Sequence, residues 1–201
     1  SSKRRARSAM TAALAALILT EEGVPFVYYG EEIGMRNIVA ESIEEMEDIQ
    51  GRTQYQLALE KGKNSEEALL EGNKNNRDKS RSPMQWNAAG FAGFSTEKPW
   101  IKIGSGYRDV NVEGLKKDRN SIFYKYKELI ALRNKEKVMQ YGKYDRLEYK
   151  DDQILYTRNF KGEKITVIVN FGAPAKIRLP EGAKILLGDT NLQSNDYIIY
   201  K

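Results

Sequence analysis

Apolar residues change their period along this chain, and the changes mark its elements. From Ala9 to Leu19 they run almost unbroken behind a basic start. Alanine and leucine at that density predict a buried helix, ending near Glu21-Glu22 with Gly23 as its C-terminal cap. Val24 to Tyr29 is a short run of β-branched and aromatic residues, the pattern of a strand buried on both faces as in a parallel sheet. A helix, a tight Gly-Val-Pro turn, such a strand and then Gly30-Glu31-Glu32 form the αβ half of a barrel unit, with polar residues at the strand's C-terminal end. Between Arg36 and Asn75, Ile38, Ile43, Met46 and Ile49 predict one amphipathic helical stretch. Leu57, Leu59, Ala68, Leu69 and Leu70 predict one or two more, with Ser65 as a cap before Glu66 and Glu67.

Ala88 to Gly114 has no long period and is rich in Gly, Phe, Pro and Trp. It reads as an ordered wrapping loop held by Phe91, Phe94, Trp100 and Tyr107 as packing residues. Leu115 to Arg133 returns to helical spacing through Ile122, Phe123, Tyr126, Leu129, Ile130 and Leu132, with Asn120 or Ser121 as the candidate cap. From Tyr141 the period falls to two. Strands are expected at 147–149, 154–160, 164–171, 175–179, 183–187 and 196–200. They are separated by turn residues such as Asp151-Asp152, Lys161-Gly162 and Pro180-Glu181-Gly182. Short strands at regular spacing predict a small antiparallel sandwich.

Composition narrows the chemistry. The 201 residues suffice for one domain or one and a half, and the net charge of +5 comes from 33 basic and 28 acidic side chains scattered along the chain. The densest basic run, Lys3-Arg4-Arg5-Ala6-Arg7, precedes the first apolar stretch. That order has the look of a secretory signal, but no small-x-small site follows Thr20, so a buried helix is the reading adopted. The apolar run is too short to span a bilayer, and neither nucleic acid nor membrane is expected as a partner. The absence of cysteine excludes disulfides and thiolate chemistry and favours a cytosolic protein, with an exported one as the open alternative. The absence of histidine removes the usual general base. Glu31 and Glu32 resemble a catalytic acid pair, but they are read as partners for nearby arginines.

The chain's most informative stretch is Asn76-Arg77-Asp78-Lys79-Ser80-Arg81-Ser82-Pro83-Met84-Gln85-Trp86-Asn87. Arg77 and Arg81 stand four apart, on one face of a helical turn. Pro83 stops that turn at Ser82, and Trp86 anchors an extended exit. Fixed guanidiniums suit carboxylates and paired sugar hydroxyls. A surface ion-pair turn beside a buried Trp accounts for the same residues, and residue chemistry by itself favours that plainer reading.

This stretch resembles the Arg-Asp-x-x-Arg-(Thr/Ser)-Pro-Met-Gln-Trp segment of the alpha-amylase superfamily, glycoside hydrolase family 13, and most of all its alpha-glucosidase branch. Gly23 to Met35, Ala92-Gly-Phe-Ser95, Pro99-Trp-Ile101, Val110-Asn-Val112, and Ser121-Ile122 leading into Leu129 to Arg133 agree in order, over the first two thirds of the chain. The resemblance implies an α+β chain holding the last part of a (β/α)8 barrel (helix 7, strand 8, a helical insertion and helix 8) over residues 1–138. An antiparallel β-sandwich domain would follow over 139–201.

It also implies a retaining hydrolase of alpha-linked gluco-oligosaccharides, whose nucleophile and acid/base flank the bond about 5 Å apart. Those residues correspond to positions before this chain begins, so it should hold no catalytic residue and be inactive alone. Arg77 would donate to the non-reducing sugar, with Asp78 and Arg81 holding it. Gln50, in Asp48-Ile49-Gln50, stands where many members carry a glutamate on the acceptor side, which leaves acceptor preference open. The aromatics of residues 88–114 could stack on sugars but are read as packing. No cofactor or metal is called for, and oligomerisation through an exposed barrel edge is an expectation. The alternative is a non-catalytic carbohydrate-binding or structural module.

Overall fold

A computed structural model describes residues 2–201, with side chains from residue 8 onward, so the basic run at residues 3–7 lies outside the described side chains. In chain order the helices are α1 (Ser2–Thr20), α2 (Ile49–Glu60), α3 (Ser65–Asn75), α4 (Val112–Leu115), α5 (Ile122–Lys135) and α6 (Lys137–Tyr141). The strands are β1 (Lys143–Lys150), β2 (Gln153–Phe160), β3 (Glu163–Asn170), β4 (Ala175–Lys176), β5 (Ile185–Gly188), β6 (Asn191–Leu192) and β7 (Asp196–Tyr200). Two compact units result. One takes the residues up to Gly34 together with Asp118–Lys201; the other is Met35–Lys117.

In the first unit a five-stranded antiparallel sheet runs β1-β2-β3-β7-β5, and β4 pairs with β6 as a separate ribbon. Two hairpin turns set its register. Asp151-Asp152 and Lys161-Gly162 all have positive φ, as a two-residue turn between right-twisted strands requires. Alternation then sorts the faces. Leu155, Ile168 and Ile198 stand side by side on one face, where Leu192 of β6, Ile177 and Leu179 cover them. The sandwich is therefore uneven, a sheet against a two-stranded ribbon. Tyr156, Val167 and Ile199 share the opposite face, which packs on α1 and α6.

Arg158 also lies on the helix side, where the pattern calls for an apolar residue, and it is fully buried. Its Nη1 donates to the carbonyls of Thr20 (2.9 Å), Glu21 (3.0 Å) and Met139 (2.8 Å), and Nε and Nη2 both donate to Gly142. These carbonyls end α1 and α6, where helices leave acceptors unsatisfied and carry partial negative charge. Arg133 of α5 adds donors to Leu19, Glu21 and Gly23. Two arginines from distant sequence thus finish α1, which ends at Thr20, just short of the expected Glu21-Glu22. Burial pulls both guanidiniums below their ordinary pKa, though arginine stays charged. Gly142 is required where it stands: a Cβ would come within 2.5 Å of the Val138 carbonyl.

Several expectations are corrected. Val24 to Tyr29 forms no strand, and its side chains are largely exposed, Phe26 at 86%. A strand exists only through a ladder, and no strand among the described residues pairs with this run. Among the described residues Glu31 and Glu32 meet no arginine: Glu31 accepts from the buried Tyr126 hydroxyl (3.2 Å), and Glu32 accepts from the Gly30 N–H (2.7 Å). The expected helix over 115–133 begins only at Ile122, after a turn at Asp118–Ser121.

In the second unit the stretch from Ile38 to Asp48 forms no α-helix and holds only a 3-10 turn at Ile43–Glu45. The reason lies in Asn73 of α3, whose amide both donates to and accepts from the Ala40 backbone at 2.9 Å and so replaces a strand partner. Helices α2 and α3 meet through small residues. Gly72 stands so near α2 that a Cβ would lie 3.1 Å from the Gly51 carbonyl.

Helix α3 starts at Ser65 itself, and its cap is Asn64, one residue before the expected one. Asn64 accepts from the Glu67 N–H (2.9 Å) and Glu67 reaches back to Asn64, a capping box. Asn64→Ala should cost about 1 kcal/mol, read as a lower urea midpoint at unchanged slope. Phe91, Phe94 and Trp86 are substantially exposed and Trp100 is 75% exposed, so these rings do not serve as core. The buried apolar residues of this unit are instead alanines with Ile38, Met46, Met84, Ile101 and Leu115.

Candidate functional site

Asn76 starts the site by accepting from the Asp78 N–H at 2.9 Å, which caps a 3-10 turn over Arg77–Ser80. The turn closes through the Arg81 N–H to the Asp78 carbonyl (2.9 Å), and Pro83 follows in extended chain. Both arginines are thereby directed at one carboxylate, that of Asp48, immediately before α2. Arg77 donates to Asp48 Oδ1 through Nε (2.9 Å) and Nη2 (2.6 Å), and its backbone N–H reaches Oδ2 (2.9 Å). Arg81 Nη1 lies 3.9 Å from the same Oδ1. The Asp48 side chain is 1% exposed and that of Arg77 is 51% exposed. A buried anion therefore fixes a guanidinium on a side chain that is half exposed to solvent.

Asp78 lies beneath. Its Oδ2 accepts from the Glu47 and Asp48 N–H groups (2.8 and 3.0 Å), so it holds the backbone that carries Asp48. Its Oδ1 is buried with no hydrogen-bond partner among the described residues. Gln50 sits exposed in the first turn of α2, two residues past Asp48, and no contact ties it to Arg77. The fold thus gathers Arg77, Arg81 and Asp78 around Asp48 and leaves Gln50 beside them. Sequence reasoning missed Asp48, although an aspartate directly before a helical period is a signal worth weighing.

The Arg77 hydrogen bonds hold the Asp48 carboxyl at a pKa of about 2, against the opposing effect of burial. A carboxylate depressed in the folded state contributes stability that is complete above its unfolded pKa near 3.9 and is lost as pH falls through the folded value. The contribution is about 2 kcal/mol, so stability should decline between about pH 4 and pH 2. Asp48→Asn should flatten that part of the curve; urea midpoints that keep the same acid slope in the variant would refute the assignment.

Two positive and two negative charges balance at this site. It suits a neutral ligand rich in hydroxyl acceptors, which a fixed guanidinium edge recognises by direction. Among the described residues no cluster of His, Cys, Asp and Glu is arranged to hold a metal.

Residues 1–142 match the family described as Alpha amylase, catalytic domain. Oligo-1,6-glucosidase of Bacillus cereus is 40% identical over 171 residues, which cover 84% of this chain and 31% of that enzyme. Trehalose-6-phosphate hydrolase of Bacillus subtilis is 36% identical over 170 residues, 84% of this chain and 30% of the relative. Among solved structures, trehalulose synthase of Pseudomonas mesoacidophila MX-45 matches with a TM-score of 0.85 at 32% identity, over 97% of this chain and 38% of that one. An isomaltulose synthase mutant of Erwinia rhapontici, solved with its natural substrate sucrose, matches with a TM-score of 0.84 at 30% identity, over 98% and 38%. The chain belongs to the alpha-amylase family, glycoside hydrolase family 13, with oligo-1,6-glucosidases and trehalose-6-phosphate hydrolases among its relatives. It spans about a third of the length of the curated relatives it matches.

Proposed function

We propose that this chain is the C-terminal part of a retaining hydrolase of alpha-linked gluco-oligosaccharides and supplies one wall of its substrate pocket. In this reading residues 1–138 are the end of the catalytic barrel with a helical insertion, and 139–201 are the C-terminal β domain. The nucleophile and the acid/base belong to a preceding portion. Arg77 donates to a hydroxyl of the non-reducing sugar. Arg81 and Asp48 fix its direction, Asp78 fixes Asp48, and Gln50 faces the acceptor side as an uncharged hydrogen-bonding group.

The observation that carries this reading is the Arg77–Asp48 pair, in which a buried carboxylate holds the guanidinium of a half-exposed side chain by two bonds. Such a group recognises a chain end because it is oriented before the sugar arrives. The test is hydrolysis of p-nitrophenyl α-glucoside by the 201-residue chain and by the same chain joined to the preceding portion of a homologous glucosidase. A silent short chain and an active long one are expected. Turnover by the short chain would overturn the reading and return attention to Glu31 and Glu32.

A further inference from the structure

The second unit also holds a cavity of about 470 Å³, between residues 36–41 and 102–110, with Gln85 in its wall. One wall is held rigidly. Ser82 Oγ donates to the Lys102 carbonyl (3.0 Å) and accepts from the Gly104 N–H (3.2 Å). The buried Gln85 donates through Nε2 to the Gly104 carbonyl (3.4 Å). The approach is close: a Cβ on residue 104 would lie 2.8 Å from Gln85 Nε2, and that amide would have to shift. The cavity's volume is ordinary for a small-molecule site.

Its charges sort into used and free. Lys102 is taken up by Glu45 (2.8 Å) and Glu41 (3.3 Å). Arg36, Asn37, Ser105 and Asp109 also line the cavity, and their side chains make no hydrogen bond or ion pair among the described residues. The free groups are one guanidinium, one amide, one hydroxyl and one carboxylate. Arg36 and Asp109 cancel in charge, which argues against a phosphate or other dianion. The lining is too polar for an apolar ligand. A neutral polyol satisfies both ends: some of its hydroxyls can accept from the guanidinium and others donate to the carboxylate.

We propose that this cavity is a saccharide subsite separate from the Arg77 site, with Arg36 and Asp109 as its recognising pair. The choice of an α-glucoside as ligand rests on the function proposed above; the site itself rests on the cavity and its free groups. The probe is isomaltose, titrated into the 15N-labelled chain and followed by NMR. Shifts are expected at the amides of residues 36–41 and 102–110 and at Arg36 Nε. Arg36→Gln and Asp109→Asn should each weaken binding about tenfold or more, since each removes charge-assisted bonds. Both side chains are exposed, so neither variant should move the thermal midpoint.

No shifts in these segments, or shifts that both variants leave unchanged, would sink the proposal. A response to glycine and none to isomaltose would assign the pair to a zwitterion and sink it as well. The outcome is independent of Arg77. A lengthened enzyme indifferent to Arg77→Ala would remove the functional reading, whereas only silence in residues 36–41 and 102–110 removes this one.

Discussion

Replacing Arg158 by methionine will lower the unfolding free energy by about 3–5 kcal/mol, the range for an uncompensated loss within a buried charged network. Methionine keeps much of the stem's volume, so the loss reports the hydrogen bonds. Four carbonyls, those of Thr20, Glu21, Met139 and Gly142, lose a donor at once. Glu21 keeps a donor in Arg133; each of the other acceptors, if left alone and buried, costs about 1–3 kcal/mol before relaxation or water entry. The ends of α1 and α6 also lose the cation that complements their dipoles. Arg158→Lys should recover only part of this, because an ammonium is a point charge and cannot span several carbonyls as a planar fork does. Urea unfolding at constant slope is the measurement. A methionine variant within 1 kcal/mol of the parent would show that α1 is finished by other groups, with Arg133 the first to examine.

In the chain joined to its preceding portion, Arg77→Ala should lower kcat/KM for a glucoside by one to two orders of magnitude, the range for about 1.5–3 kcal/mol of lost charge-assisted bonding. Asp48→Asn should produce a smaller loss of the same kind. Asparagine still accepts from Arg77 but no longer fixes it by charge, so the guanidinium turns more freely and its alignment weakens. Adding Asp48→Asn to Arg77→Ala should then change kcat/KM little further, because the carboxylate acts through the arginine. Independent, additive losses would separate the two residues, and unchanged kinetics in Arg77→Ala would end the assignment of Arg77 to the sugar.

How much of this was legible in the sequence differs from element to element. Helix α5 and the hairpins β1-β2-β3 were readable because their information is local. Ile122, Tyr126 and Leu129 lie on one helical face, and Asp151-Asp152 and Lys161-Gly162 prescribe their own turns. The run Val24 to Tyr29 reads equally plainly as a strand, yet a strand needs a neighbour and none of the described strands pairs with it. Ile38 to Ile49 carries a helical period, but the Asn73 amide takes up the Ala40 backbone from 33 residues away. Local pattern has no access to such a competitor.

The site divides in the same way. Arg77, Asp78 and Arg81 stand in one turn that Pro83 stops, so the sequence determined which guanidiniums are presented, while the Asn76 cap came from the structure. It did not determine what they are presented on. Asp48 lies 29 residues upstream of Arg77, and only the packing of the segment before α2 against the Asn76 turn brings it there. Arg158 is the extreme case. Its position in β2 predicts an apolar side chain facing helices, and only the tertiary arrangement places two helix ends within its reach and makes a buried cation favourable. Sequence settles what depends on neighbours along the chain. The partners of buried charges depend on which carbonyls and carboxylates the fold brings within about 3 Å, the reach of a hydrogen bond, and that was decided by the tertiary structure.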